Sequence, residues 1–387
     1  MKIKLVTSAL LFLATSAFAQ DAETSSFQQF GSMQEILQQA KKENKLVFID
    51  CYFTGCHPCA QMDKEVYPNA TVLPVMSKDY ISVKVDVFKE KLGDTLMVRY
   101  ALHGFPTLLA LDADGKLISH ESGYKDAGQF LQFLNESKEH NKQKKYLSGF
   151  STNYKGEYPA FYTTRYLDKK QIDAVAANKF IHEQKDWLEE KTALAILTCP
   201  KLDSDIEDYL LKNVKEYIIK FGDEMVHDRI EPILSKRMNA AVAGHADEQT
   251  FQTFLQNNKS YFPESNWKNC LQVLANGYYL SVAKDTTAYL QFMSKNPVIY
   301  HYYAVAFHSS ALVKNSLTQE RCKLFCEWLD KSITSETSLD IINLSATLHK
   351  RMGDAAGAKK YNQLALDKVR KYKMDGEDRY QKLLAGE

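Results

Sequence analysis

Two cysteines separated by two residues, Cys56 and Cys59, are the side chains of this 387-residue sequence best suited to chemistry. They follow an apolar run, 46–53, that predicts a buried strand, and they precede a segment, 60–66, that predicts a helix. The first thiol would therefore lie at a helix N-terminus, where free backbone N–H groups and the helix dipole favour negative charge. Because the thiolate is the reactive form of cysteine, this position predicts a reactive thiol.

The positions of the two cysteines also predict a different role for each. Cys56 is the expected attacking nucleophile, because it is nearer the helix N-terminus, and Cys59 is the expected resolving thiol. Cys56 would form a mixed disulfide with a partner, Cys59 would then break it, and the reverse direction would use the same residues. The expected partners are protein or peptide disulfide substrates and a redox partner protein, and no cofactor is required.

The predicted elements around the pair alternate between helices and strands. Helices show an apolar residue every three or four positions, and the strand at 81–88 alternates strictly. Asp112-Ala113-Asp114-Gly115 is a hairpin turn signal. In chain order the predicted elements are helix 32–43, strand 46–53, a helix from Cys56 that breaks near 67–69 and resumes at 72–76, strand 81–88, helix 94–102, strands 108–111 and 116–123, and a helix carrying Ala127, Phe130, Phe133 and Leu134.

A Cys-x-x-Cys pair after the first core strand of such a unit is typical of a thioredoxin-like redox motif. Residues 20–140 resemble the thioredoxin superfamily, in particular its exported bacterial branch with an extended segment after the active-site helix. The resemblance implies an α/β thioredoxin fold, with a mixed central sheet flanked by helices. It is carried by Lys64-Glu65-Val66-Tyr67-Pro68, by Val83-Lys84-Val85-Asp86-Val87, and by Phe105-Pro106-Thr107 followed by Leu111-Asp112-Ala113-Asp114-Gly115-Lys116.

The resemblance also implies roles for residues outside the pair. Asp50 matches the buried acid that accepts a proton from the resolving thiol, and Pro106 matches the cis-proline of the fold. The loop of Pro106 would face the cysteines and block metal capture, and Phe105 would offer its backbone to an extended substrate peptide. The alternatives are a strand-end Asp50 that reaches solvent and an ordinary strand-start proline. Perturbed acids cluster at functional sites, which favours the functional interpretation of Asp50.

Three further residues are predicted to tune the pair. Pro58 fits the first turn of a helix and matches the Cys-Gly-Pro-Cys pattern of thioredoxin. His57 departs from that pattern, and a partly charged imidazole there would shift the pair towards the oxidising side; alternatively it is an exposed surface residue. Gly55 stands where thioredoxin has Trp, so the shielding ring is missing and Tyr52 or Phe53 would compensate.

The other five of the seven cysteines are predicted to be buried, inert thiols. A structural zinc site usually needs a second cysteine pair, and the one other close pair, Cys322 and Cys326, falls on an apolar helix far along the chain. We therefore expect no metal site, although a metal or copper chaperone would use the same Cys56 and Cys59. The remaining three cysteines are Cys51, Cys199 and Cys270.

The net charge and the N-terminal residues limit the expected partners and location of the protein. The formal net charge is +1 with both signs mixed, which gives no basis for nucleic acid or an anionic membrane surface as a partner. Lys2 and Lys4, the apolar stretch 5–14 and Ala17-Phe18-Ala19 predict a signal peptide over 1–19. The mature chain has no apolar run long enough to span a bilayer. We therefore expect a soluble, exported protein of the periplasm.

The second half of the chain predicts an all-helical domain, 166–387, after a polar linker at 141–165. Within it, 336–371 predicts a helical hairpin that weakly resembles a tetratricopeptide repeat, with Gly353-Asp354 at the turn and Ala346, Ala358 and Ala365 at its small positions. Pro200, Pro232, Pro263 and Pro297 are expected near helix boundaries. The predicted helices are 170–193, 203–220, 223–240, 248–258, 264–281, 285–293, 298–313, 318–332, 336–352 and 354–371.

Two functions of different classes fit these patterns. The first is a thiol–disulfide oxidoreductase acting through Cys56 and Cys59. The alternative is a partner-binding protein in which the helical domain is the interaction surface and the thioredoxin fold is a docking platform. Aromatic residues such as Tyr300, Tyr302 and Tyr303 suit either a binding surface or a core. The cysteine pair together with Asp50 and Pro106 favours the oxidoreductase.

Overall fold

The computed structural model of the protein describes residues 26–154, 156–300, 305 and 317–386. The predicted signal peptide lies outside these residues. So do most of the predicted helix 298–313, Tyr302 and Tyr303.

A five-stranded mixed sheet forms the centre of the N-terminal part, in the order β1-β3-β2-β4-β5. The strands β1, β3 and β2 are parallel, and β4 runs antiparallel to both β2 and β5. The predicted mixed sheet is confirmed. Strand β1 was not expected, because two residues are too few to show an alternating pattern. The strands are β1 Phe27–Gln28, β2 Leu46–Tyr52, β3 Tyr80–Asp86, β4 Thr107–Leu111 and β5 Leu117–Ser122.

Five helices flank the sheet, as predicted. The first begins at a serine cap, since Ser32 accepts a hydrogen bond from the Glu35 backbone. The fifth begins at a capping box formed by Asp126 and Gln129. They are α1 Met33–Glu43, α2 His57–Glu65, α3 Leu73–Asp79, α4 Lys91–Tyr100 and α5 Ala127–Lys142.

The rest of the described chain is helical, which confirms the predicted all-helical class. A π-helical segment, Asn276–Val282, continues directly from α13. The helices are α6 Ala160–Leu167, α7 Ala174–His182, α8 Glu190–Thr198, α9 Ser204–Lys212, α10 Val214–Phe221, α11 Asp223–Ala241, α12 Glu248–Lys259, α13 Glu264–Ala275, α14 Thr286–Lys295, α15 Gln319–Ser332, α16 Leu339–Arg351, α17 Ala355–Lys371 and α18 Glu377–Ala385.

Several predicted helix bounds were wrong. The predicted helix 203–220 is divided at Asn213, whose side chain donates to the Tyr209 carbonyl at 2.8 Å and so competes with the backbone. The predicted helix 170–193 is likewise two helices, α7 and α8. Pro232, expected near a boundary, lies inside α11. Burial of its neighbours Ile230 and Ile233 offsets the lost backbone hydrogen bond.

Helices α16 and α17 form the predicted hairpin. Gly353 occupies the turn with a φ of +79°, a left-handed conformation that favours glycine. Among the described residues, every helix is too short or too polar to cross a membrane.

The two faces of the sheet are covered by different parts of the chain. One face, with Val47 and Ile49, belongs to a core that continues into the helices as far as Leu348. The other face, with Phe48, packs against α5 and against Tyr372 from the end of α17. The helical part therefore covers the sheet from both sides.

The predicted linker, 141–165, contributes to these contacts. Phe150 and Tyr162 within it are buried, and the Tyr162 hydroxyl donates to the Val98 carbonyl at 2.7 Å. Helix α6 begins inside it, at Ala160. The segment was predicted to be a linker because most of its residues are polar. Only a few aromatic side chains in it are buried against the rest of the protein.

Candidate active site

Cys56 and Cys59 lie at the N-terminus of α2, where the strand β2 gives way to the helix. Cys56 is the N-cap residue, and its sulfur accepts a hydrogen bond from the Cys59 backbone at 3.3 Å. The two cysteines form a disulfide. Cys56 is 6% exposed and Cys59 is 1% exposed. The first cysteine is therefore the more accessible one, and in the reduced state its thiolate would face the free N–H groups of the helix.

The residues between and before the cysteines set the backbone. Pro58 is the second residue of α2, and His57, the first, is exposed. Gly55 has a φ of +97°, in the left-handed region where a side chain is strained. A Trp at this position would be strained in this backbone. Phe53 stays close to the site because its carbonyl accepts a hydrogen bond from the Cys56 backbone at 3.1 Å.

Asp86, which the sequence did not single out, holds the loop before Cys56. One carboxylate oxygen accepts from the Thr54 hydroxyl at 2.6 Å and the Thr54 backbone at 3.1 Å, and the other accepts from the Phe88 backbone at 3.1 Å. Burial opposes ionisation, but the hydrogen bonds from Thr54 and Phe88 lower the pKa of Asp86. The signal in the sequence was an acid at the end of β3, since the ends of parallel neighbouring strands meet at one edge of a sheet.

Asp50 lies in β2 with no exposed surface. Burial raises its pKa to about 6, and the charge of Lys84 opposes the rise. The Lys84 ammonium is 3.6 Å from the Asp50 carboxylate and also pairs with Asp63, which is partly exposed. The alternative of an Asp50 that reaches solvent is therefore wrong, and a buried acid with a raised pKa lies in the strand that leads to the cysteines.

The Phe105–Pro106 peptide bond is cis, as the resemblance implied. The Pro106 carbonyl accepts from the Gly123 backbone at 2.8 Å. The Phe105 ring packs edge-on against the Phe53 ring, with centroids 5.4 Å apart, and lies 5.9 Å from the Phe88 ring. The loop that carries Pro106 thus contacts the residues just before Cys56.

Of the two residues expected to compensate for the missing Trp, the structure places one beside Phe105. Phe53 joins the aromatic cluster on the Pro106 side. Tyr52 points elsewhere: the Lys84 ammonium lies over the Tyr52 ring, 4.5 Å from the centre of that ring. The roles of the site residues remain predictions, but their positions form one continuous region at the end of β2.

The five remaining cysteines are buried thiols, as predicted. Burial raises the pKa of each of them, to about 12 for Cys326. A thiol that resists ionisation is a poor nucleophile. Cys56 and Cys59 are thus the cysteines whose position suits exchange chemistry.

Among the described residues, one group brings three metal-binding side chains together, namely His182, Asp203 and Asp205. All three are exposed, and neither cysteine of the pair belongs to the group. Exposed acidic groups of this kind are common without an ion, so we assign no metal to them.

Comparison with known proteins identifies the N-terminal part. Residues 33–138 match the family model of the thioredoxin-like domain. Residues 33–138 are therefore a thioredoxin-like domain. Its relatives include a thiol:disulfide interchange protein DsbD from Pseudomonas sp. (strain JR1 / K1), which is 33% identical over 104 residues, 26% of this chain and 18% of the relative. A protein disulfide-isomerase from Datisca glomerata is 27% identical over 131 residues, 32% of this chain and 25% of the relative.

Two further similarities are more limited. The human spermatogenesis-associated protein 20 is 40% identical over 53 residues, 14% of this chain and 7% of the relative. A solved structure titled DsbH oxidoreductase shares 17% identity and a TM-score of 0.26, covering 30% of this chain and 86% of that one. The chain spans at most a quarter of the length of the three curated relatives named. At the level of the family, the thioredoxin-like domain and the similarity to DsbD and protein disulfide-isomerase support an activity of the thiol–disulfide oxidoreductase type.

Proposed function

We propose that this protein exchanges disulfides with protein substrates through Cys56 and Cys59. The observation that carries the proposal is the placement of Cys56 at the N-cap of α2, with Cys59 one turn further on and bonded to it. In the proposed division of the chain, 20–140 is the thioredoxin-like domain that performs the exchange, 141–165 is the linker and 166–387 is the helical domain.

The proposed reaction transfers two electrons between dithiol and disulfide. The Cys56 thiolate attacks one sulfur of the substrate disulfide, and the other substrate sulfur leaves as a thiolate and takes up a proton. Cys59 then loses its proton and attacks the Cys56 sulfur. The second substrate thiol is released, and the Cys56–Cys59 disulfide remains. The substrate disulfide has been reduced and the enzyme dithiol oxidised; the reverse reaction oxidises a substrate.

The neighbouring residues have distinct parts in this proposal. Asp50, buried and with a pKa of about 6, accepts the proton of Cys59. Pro106 and Phe105 form the edge against which an extended substrate peptide lies. Pro58 starts the helix, and Gly55 permits the turn before Cys56. A redox partner protein restores the dithiol or the disulfide, and we place the protein in the periplasm after removal of residues 1–19.

His57 sets the proposed direction of electron flow. A partly charged imidazole beside Cys56 would stabilise the thiolate and hence the reduced form, which makes the pair more oxidising. We expect a reduction potential less negative than the value of about −270 mV for thioredoxin. Equilibration with glutathione measures the reduction potential. A potential as negative as that of thioredoxin, or more negative, would contradict this role of His57.

Reduction of insulin disulfides tests the proposed function. The wild-type protein should catalyse it, and Cys56→Ser should abolish it. Cys59→Ser should instead accumulate mixed disulfides with substrate proteins. Cys199→Ala, which removes a buried thiol elsewhere, should leave turnover intact. Absence of both turnover and mixed disulfides would overturn the proposal and favour a partner-binding protein. Metal analysis of the reduced protein tests the chaperone alternative.

A further inference from the structure

A groove beside the Pro106 loop has walls from two distant parts of the chain. On one side lie Phe88 and Phe105, and on the other lie helix α6 and the residues after it. Its cavity volume is about 300 Å³. We call this feature the α6 groove. The lining residues that carry the argument below are Phe88, Phe105, Arg165, Tyr166, Lys169 and Lys170.

The α6 groove adjoins the cysteine pair. Phe105, at its inner end, packs against Phe53, and the Phe53 carbonyl accepts a hydrogen bond from the Cys56 backbone. Phe88 packs against both aromatic rings and remains 46% exposed. An exposed aromatic side chain is unremarkable alone. Here it continues an apolar strip from the edge of the site into the groove, and such a strip suits the apolar side chain of a bound peptide.

The charge in the α6 groove has one sign. Arg165, Lys169 and Lys170 contribute three positive charges, and no acidic residue of the described chain lines it. Lys170 lies 3.8 Å from the exposed Asp168. Arg165 and Lys169 instead lie over the aromatic rings of Tyr166 and Phe88, and neither pairs with a carboxylate among the residues described. This imbalance contrasts with the net charge of +1 for the whole chain.

The walls of the α6 groove are held in place before any ligand arrives. The Tyr162 hydroxyl in α6 donates to the Val98 carbonyl in α4. His103 also lines the groove, and its Nε2 lies 2.6 Å from the Asp228 carboxylate in α11. A groove whose walls are already ordered loses less conformational entropy on binding.

We propose that the α6 groove binds an acidic segment, carrying one large apolar side chain, next to the disulfide of a protein substrate. The proposal deepens the proposed function and rests on it, because the segment reaches the groove when its disulfide lies at Cys56. The apolar side chain lies on Phe88 and Phe105, and carboxylates lie near Lys169, Lys170 and Arg165. Complementary charge of this kind contributes mainly to specificity and to the rate of association.

Peptide binding tests the proposal without any thiol chemistry. Two short synthetic peptides share a phenylalanine and a serine in place of cysteine, and they differ only in carrying aspartates or lysines. The full-length protein should bind the acidic peptide about tenfold more tightly, or by about 1.4 kcal/mol, at low ionic strength. The preference should shrink at high salt, because exposed charges are screened.

Two double variants with the same change in net charge make the test specific. Lys169→Glu with Lys170→Glu should abolish the preference, whereas Lys201→Glu with Lys212→Glu, on exposed residues that do not line the groove, should keep it. Both should give the circular dichroism spectrum of the wild type, which shows that they are folded. Equal binding of the two peptides by the wild type, or an equal effect of both double variants, would overturn the inference. Turnover without a preference for the acidic peptide would overturn this inference alone. A preference without turnover would overturn the proposed function and leave the α6 groove as a site for acidic peptides unconnected with disulfide exchange.

Discussion

Asp50 is a carboxylate with no exposed surface, and its one ion-pair partner is shared. Lys84 pairs with Asp50 and also with Asp63, so its charge is divided between two acids. Burial raises the pKa of Asp50, Lys84 lowers it, and the charge of Asp63 raises it again. The balance leaves Asp50 with a pKa of about 6, which is near the range needed to exchange protons at neutral pH.

Two variants should move the pKa of Asp50 in opposite directions. Lys84→Met removes the attractive charge and should raise it, whereas Asp63→Asn removes a repulsive charge and frees Lys84, and should lower it. The pH at which resolution of the mixed disulfide is half-maximal should follow these shifts. A shift in the same direction in both variants, or an unchanged profile in Asp50→Asn, would rule out Asp50 as the proton acceptor.

Asp50 should also make stability depend on pH. Its folded-state pKa of about 6 lies above the ordinary value of 3.8, so the folded protein binds the proton more tightly. The stability that Asp50 contributes is therefore fully present below about pH 4 and is lost as the pH rises through about 6, by ~3 kcal/mol. Urea unfolding of the wild type and of Asp50→Asn at several pH values measures this change in the free energy of unfolding. The variant should gain stability relative to the wild type as the pH rises, and a constant difference would contradict this account.

At the scale of elements, the site is assembled at the ends of strands. Strand β2 delivers Asp50 and the loop before Cys56, and the neighbouring end of β3 delivers Asp86, whose carboxylate binds that loop. Strand β4 begins just after Pro106 and pairs with β2 on its other side. The position of Cys56 thus depends on contacts between three elements, while the helix α2 provides the N–H groups.

Asp86→Ala should destabilise the loop before Cys56. The substitution leaves the hydrogen-bond donors of Thr54 and Phe88 without their acceptor. Hydrogen bonds to a charged group contribute ~1.5–3 kcal/mol each to stability, and water replaces part of this at Thr54, which is exposed. We expect the free energy of unfolding to fall by ~3 kcal/mol, as measured by chemical denaturation. Asp114→Ala, which removes an exposed acid paired with Lys41, should lower it far less, because solvent screens an exposed ion pair. Equal losses in the two variants would contradict the role assigned to Asp86.

At the scale of the whole molecule, the end of the helical part closes the core of the sheet. The Tyr372 ring packs on α5, and the Asn69 side chain donates to the Tyr372 carbonyl at 2.7 Å. Lys368 and Asp126 form an ion pair, 3.3 Å long, that is almost fully buried. The close approach of Tyr372 needs a glycine at 128, because a Cβ there would lie 2.7 Å from the ring.

Gly128→Ala should therefore destabilise the full-length protein by ~1 kcal/mol, although alanine is the better helix former by about that amount. In a Tyr372→Ala background the clash is absent, and the same substitution should be stabilising. Thermal or chemical unfolding of the four proteins in this double-mutant cycle gives the coupling between the two sites. Additive effects would show that Tyr372 does not rest on α5 in solution.

The sequence alone predicted what depends on short spacings. The Cys56–Cys59 interval, the apolar run of β2, the alternation of β3 and the turn at Asp112 to Gly115 are local patterns. The thioredoxin fold was expected from the resemblance to that superfamily. The bounds of the later helices were less predictable, because residues such as Asn213 end a helix through side-chain hydrogen bonds that periodicity does not report.

The tertiary structure alone decided the features that join distant residues. Phe53, Phe88 and Phe105 meet only because strand ends converge at one edge of the sheet. Lys169 reaches the Phe88 ring only because helix α6, which precedes it, packs against the first part of the chain. Asp86 became a site residue through its hydrogen bonds to Thr54. Such contacts depend on how the elements pack, and no periodicity along the chain records them. The sequence thus determined where the cysteine pair lies, at the N-terminus of a helix, and the packing of the helical part decided what surrounds it.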